Sequence, residues 1–332
     1  MTRRLMLPLL VVAALAVLAG APFVGMERID PSLLWRTSDD AARLNILWQI
    51  RIPRVILAFL AGSALATSGA AFQAMFRNPL AEPFTLGVSS GAALGAALAI
   101  QHQWHFAIWG QWATSLCALA GSLVAILLVY GLTRVKRGFS VATMLLAGVA
   151  VSFFFSSLIL FVYYLSDQTR TFRMLRWIMG GMETVVGFGD ILVVFPFVLT
   201  GSLVVLYLTH DLNQLATGEE LASSRGVEVN RVKAILFFAT SLMVAAVVAA
   251  CGPIGFVGLM VPHICRLLVG TDHRLLLPAS LLAGGVFLTL CDTVARTVIA
   301  PSELPVGILT ALLGGPFFLG LLLRRGPQDE AV

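Results

Sequence analysis

The stretch RVKAILFFATSLMVAAVVAACGPIG, residues 231–255, decides the fold. From Arg231 to Cys251 it is long and apolar enough to cross a hydrocarbon core, which takes about 20 residues of helix. Gly252, Pro253 and Gly255 then follow and would break a helix at membrane depth. Backbone groups freed there must be covered by protein or line a water-filled cavity. Broken spans of this kind are typical of transporters built from internal repeats.

Nine further runs read as membrane spans: 5–24, 50–72, 85–101, 107–133, 141–165, 188–209, 253–270, 275–299 and 305–323. With 231–251 they predict an all-α, polytopic membrane protein of ten transmembrane helices, one transmembrane domain over 1–332. The longest polar stretches, 25–49, 166–187 and 210–230, leave no room for a soluble domain. Composition agrees. The chain is 58% hydrophobic and 12% charged, with mean hydropathy +0.92, whereas soluble domains carry about 25% charged residues. That leaves too little polar surface to cover a water-soluble globule. The apolar run Leu5–Val24 could be a signal peptide cut near Ala19-Gly20-Ala21. It exceeds the roughly 7–15 residues of a signal core, so a retained first helix is expected. Cys117, Cys251, Cys265 and Cys291 all fall in apolar segments without zinc or CxxC spacing, and read as small buried hydrophobes.

The formal charge of +5 reads as topology, because no basic stretch with interleaved aromatics points to nucleic acid. With the N-terminus cytoplasmic and ten spans, 13 of the 22 Lys and Arg fall inside and 9 outside. The sign obeys the positive-inside rule, but nine outer arginines are many. Docking a soluble acidic partner is one role for them.

The motifs that are missing also inform. Lys136 and Lys233 are the only lysines and neither follows a glycine, so there is no G-x-x-x-x-G-K-[ST] phosphate loop. If ATP drives this protein, ATP and Mg belong to another chain, and no cofactor, metal or catalytic residue is expected in this one. Proton- or sodium-coupled carriers usually need carboxylates inside the membrane. Here Asp292 and Arg296 come nearest, one helical turn apart and spaced to pair with each other. A stand-alone ion- or proton-coupled carrier is the alternative reading, and copurification of a separate ATPase discriminates. In the loop 210–230, Thr217 or Gly218 can cap a short helix with Glu219 and Glu220 in its first turn. Arg225 sits in its last turn and Gly226 closes it. Such a helix is either a solvated connector or a coupling helix seated in a soluble motor.

At this point the chain begins to resemble a family. Glu220-x-Ala222-x-x-x-Gly226 is similar to the coupling loop of ABC importer permeases. Four longer stretches are more specific. Arg51-Ile52-Pro53-Arg54 is the first. Gly69-Ala70-Ala71-Phe72-Gln73, with Asn78-Pro79-Leu80-Ala81-Glu82-Pro83 and Leu86-Gly87-Val88-Ser89-Ser90-Gly91, is the second. Then come Gly255-Phe256-Val257-Gly258-Leu259-Met260-Val261-Pro262-His263 and Glu303-Leu304-Pro305-Val306-Gly307, the latter with Gly314-Gly315-Pro316 behind it. In this order, over nearly the whole chain, they resemble the FecCD-type permeases that import ferric siderophores, haem and cobalamin.

The resemblance implies the type II ABC importer permease fold, in the inner membrane with both termini cytoplasmic. It implies a second copy of the chain, two ATP-binding subunits inside, and a periplasmic or surface-anchored substrate-binding protein outside. Ferric siderophore is the first substrate class, cobalamin or haem the next. Arg51, Arg54 and Arg296 match the family's docking arginines. Thr217, Gly218, Glu219, Glu220, Leu221, Ala222, Arg225 and Gly226 fall in the coupling helix. Ser140-Val141-Ala142 matches the inner gate, with fewer hydroxyls than the family often has. Pathway candidates are Phe153, Phe154, Ser156 and Ser157 on the fifth span and Met174 in the outer stretch after it. His102 and His105 read as parts of a solvated loop, with metal ligation as the alternative.

Overall fold

A computed structural model describes residues 3–25, 29–31, 41–104, 106–108, 111–135 and 141–324. In chain order the helices are α1 (Arg3–Gly20), α2 (Ala41–Ile46), α3 (Ile52–Phe76), α4 (Val88–Gln101), α5 (Ala113–Val135), α6 (Val141–Tyr164) and α7 (Gln168–Ile178). Then come α8 (Gly189–Tyr207), α9 (Thr209–Thr217), α10 (Glu219–Ser224), α11 (Val229–Cys251), α12 (Val257–Val269), α13 (His273–Ala295) and α14 (Val306–Arg324). Each of the ten expected spans holds one apolar helix.

Two boundaries differ from the sequence reading. The fourth span does not begin at 107, because Ala107–Ile108 pairs antiparallel with Gln111–Trp112 as a small hairpin and the helix starts at Ala113. The second begins earlier, at Ala41, and passes through a π turn at Leu47–Arg51 before Ile52. Pro53 brings no N–H to the carbonyl of Gln49, four residues back. The backbone N–H of Gly187 fills that place at 2.6 Å.

α3 is the centre of the bundle. From Pro53 onward nearly all its side chains are buried, and most are Ala, Gly, Ser or Thr. Small residues let helices approach closely where lipid supplies no hydrophobic drive. Gly62 of α3 and Gly284 of α13 meet backbone to backbone, and Gly69 meets Gly258 of α12 in the same way. The outward faces are the reverse. Phe153, Phe154, Leu160 and Phe161 of α6, with Leu192, Phe195, Leu199 and Leu203 of α8, are exposed apolar surface that water would not tolerate on this scale.

Among the described residues, seven helical segments are long and apolar enough to cross a membrane, and three apolar helices are shorter. α4 and α12, with 14 and 13 residues, reach only about 20 Å of a core about 30 Å thick. Non-α backbone precedes each: 77–87, with a 3-10 turn at Pro83–Leu86, before α4, and 252–256 before α12.

Candidate functional site

Pro262 lies inside α12 and leaves the carbonyl of Gly258 without its helical donor. Gln73 of α3 supplies one, its Nε2 donating to the Gly258 carbonyl at 3.2 Å and the Leu259 carbonyl at 3.4 Å. Arg266 holds the amide in that orientation, donating to Gln73 Oε1 at 2.8 Å. The break is thus braced on the α12 side.

Toward α11 the break is tied into a knot of three backbones. Gly181 N–H donates to the Cys251 carbonyl at 2.8 Å, and Gly307 N–H donates to the Gly180 carbonyl at 3.1 Å. Gly180 and Gly252 have φ of +68° and +67°, the left-handed region that favours glycine. A Cβ on Gly180 would strike the Pro253 carbonyl, and one on Gly252 would stand 2.5 Å from the Trp177 carbonyl. The end of α7, the broken helix and the start of α14 therefore touch with nothing between them. Beside them lies an apolar recess of about 500 Å3, lined by Phe84, Ile178, Met179, Pro253, Ile308 and Leu312 among others.

The opposite end of α11 carries the loop helix. α9 is pinned to the start of α13: Asn213 Oδ1 accepts from His273 N at 2.9 Å, and Asn213 Nδ2 donates to Asp272 Oδ1 at 2.8 Å. Gly218, at φ +129°, turns the chain into α10, and Gly226, at φ +88°, turns it out again. Ala222 is wholly buried, while Glu220, Leu221, Ser223 and Ser224 face outward. Thr217 belongs to α9 and caps nothing, since its hydroxyl donates to the Gln214 carbonyl at 2.7 Å. Arg225 is the residue after the helix, and its Nη1 donates to Gln214 Oε1 at 2.5 Å. Glu219 Oε1 meets Lys233 Nζ of α11 at 2.6 Å.

Asp272 is held below the usual carboxylate range, first by the Arg274 backbone N–H and then by Asn213. A depressed carboxyl contributes stability that is present above its unfolded pKa and is lost as pH falls through the folded one. Asp272→Asn should therefore melt below wild type at pH 7, with the gap narrowing at about pH 3, where pH has fallen below the unfolded value near 4 toward the depressed folded one. An unchanged gap at both pH values would remove this contribution.

The structure brings Arg51, Arg54 and Arg296 together at one end of the bundle, but turns them inward; all three are at least nine-tenths buried. Arg54 forks onto Asp292, Nε and Nη2 each donating to Oδ1 at 3.0 and 2.9 Å, and its Nη1 meets Glu303 Oε2 at 2.7 Å. Arg296 Nη2 donates to the Ala21 carbonyl at 3.1 Å, and Arg51 Nη1 to the Pro22 carbonyl at 3.3 Å. Asp292 faces Arg54 across α3 as well as Arg296 one turn on.

Among the pathway candidates, Phe153, Phe154, Ser156 and Ser157 lie exposed on α6, whereas Phe155 is buried. Met174 does not belong with them. It is 1% exposed and packs with Ala97 and Val162 in a small core between α4, α6 and α7. Val141 and Ala142 open α6, and Ser140 and His105 lie outside the described residues. His102 stacks on Trp104. Sequence reading missed the roles of Gln73, Glu303 and the buried Lys233. For Gln73 a signal existed, because Pro262 requires a donor from elsewhere.

All-helical, broken at membrane depth and carrying a short helix on a pinned arm, the molecule is of the ABC permease class. It belongs to the FecCD transport family, whose profile matches residues 9–324. The hemin transport system permease protein HmuU of Yersinia pestis is 38% identical over 326 residues, covering 98% of this chain and 97% of that protein. The cobalamin import system permease protein of Halobacterium salinarum is 45% identical over 280 residues, 84% of this chain and 74% of its own. A solved metal-chelate type ABC transporter in an inward-facing conformation superposes with TM-score 0.85 at 31% identity, over 96% of this chain and 99% of that one.

Proposed function

We propose that the chain works as a homodimeric permease in the inner membrane, with both termini cytoplasmic, two ATP-binding subunits on α10 and a substrate-binding protein outside. The observation that carries this reading is the form of α10. It is a six-residue helix on glycine turns, with Ala222 sunk into the membrane domain and its other faces free for a motor protein. The lining of the α7–α14 recess is apolar, so a large chelate would pass it by shape and weak contact. Relatives named for hemin and cobalamin favour a haem or corrinoid cargo over the ferric siderophore that family breadth put first. Arg54 already has its carboxylates within the chain and Arg51 is as buried, so docking of the binding protein would fall to the surface that the buried network shapes.

The test is reconstitution. In liposomes the chain alone should accumulate neither hemin nor cyanocobalamin under a proton or sodium gradient. With its copurified ATPase and binding protein, ATP should drive uptake of one of them. Uphill accumulation by the lone chain on an ionic gradient would establish the stand-alone carrier instead.

A further inference from the structure

Lys233 is one of two lysines in the chain, and it is 1% exposed. Burying an ammonium costs several kcal/mol unless it is paired. Its carboxylate is Glu219 Oε1, at 2.6 Å, on the first residue of α10. The Glu219 side chain is itself 49% exposed, so the pair is buried at the α11 end and wet at the α10 end.

α10 needs such an anchor. Gly218 before it and Gly226, two residues past its end, both have positive φ, so a six-residue block hangs between two turns. α9 in front of it is pinned to α13 by Asn213. Glu219 joins α10 to a different helix. α11 runs unbroken for 23 residues from Val229 to Cys251, a rod of about 34 Å at 1.5 Å per residue. Its far end is the Cys251 carbonyl that Gly181 binds, next to the Pro253 carbonyl that abuts Gly180.

We propose that the Lys233–Glu219 pair is the joint through which movement of α10 is passed to α11 and, along it, to the α7–α14 knot. Lys233 is then a positioning residue, and touches neither nucleotide nor cargo. This rests on the permease reading above. A push on α10 without the pair would be absorbed in the glycine turns, while the ATPase would still find its docking surface.

The test uses the full complex in nanodiscs, with hydrogen exchange followed at 178–182 and 252–256, with and without ATP and vanadate. Lys233→Met keeps length and packing and leaves Glu219 able to reach water, so it should fold. Wild type should show a nucleotide-dependent change in exchange at the knot. In Lys233→Met that change should shrink about tenfold, a loss within the range for one coupling site, with the ATPase still bound and hydrolysing. The reversal Glu219→Lys with Lys233→Glu should restore it, which a merely structural role would not require. A normal response in Lys233→Met, an unresponsive wild-type knot, or loss of the ATPase from Lys233→Met would each overturn the joint. Failure of wild type to copurify any ATPase would overturn the permease reading instead, so the two failures are distinct.

Discussion

Asp292→Ala should lower stability by about 3–5 kcal/mol, the range for removing one partner of a buried ion pair. Asp292 is fully buried and neutralises Arg54 while Arg296 stands 3.5 Å away. Alanine would leave Arg54 and Arg296 buried close to Arg51 without it, and Arg54 with Glu303, whose side chain is 25% exposed, as its carboxylate among the described residues. Glu303→Gln should cost much less, because water can reach that position. Asp292→Asn should fall between, keeping one acceptor and losing the charge. Thermal melts of the three variants in one detergent decide the order. If Asp292→Ala melts with wild type, the network carries no stability and the arginines are free to serve another purpose. The result also governs how variants of Arg51 and Arg54 are read. Reversing Arg54 to Glu would place three carboxylates in one buried site, so lost transport would report docking only in a variant shown to be folded.

The spans were legible because lipid demands apolar runs of fixed length, and that demand is local. All ten helices lie where hydropathy placed them. The hairpin at 107–112 and the early start at Ala41 were not, because the short-range pairing of Ala107–Ile108 with Gln111–Trp112 leaves no mark in hydropathy, and the π turn at Leu47–Arg51 is completed by Gly187 far along the chain. The break at 251–255 was readable from Gly and Pro alone; its brace by Gln73 needed the third dimension. The loop helix was readable from Glu219 to Gly226; of the two cap candidates, Gly218 takes the place, because α9 continues through Thr217. Arg54 and Arg296 matched the family signature, and the structure brings them to one site. Sequence gave no means of seeing that Asp292 and Glu303 turn Arg54 inward. Met174 failed for a similar reason, since α7 buries one face and periodicity does not say which.

Gly180→Val should abolish transport while leaving the bundle folded. The substitution forces a β-branched residue to φ +68°, a conformation costing about 1–3 kcal/mol for a side chain that rarely adopts it. Its Cβ also runs into the Pro253 carbonyl. Relief requires the α7–α8 turn to lift, which breaks the bond from Gly307 N–H to the Gly180 carbonyl. The α3–α13 and α3–α12 contacts lie elsewhere, so insertion and ATPase binding should survive. Two neighbours serve as controls. Gly181 has ordinary backbone angles, and a Cβ there meets nothing nearer than 3.7 Å; Gly255, though inside the family motif, has open space. Gly181→Ala and Gly255→Ala should therefore transport normally, against a loss of about 100-fold for Gly180→Val, which corresponds to the upper half of that strain. ATP-driven uptake of hemin or cyanocobalamin by the reconstituted complex, with hydrogen exchange at 252–256 as the ligand-free readout, measures all three. Equal damage from Gly181→Ala would mean that general crowding of the turn is at fault. Normal uptake by Gly180→Val would mean that the three backbones need not stay in contact for the pathway to work.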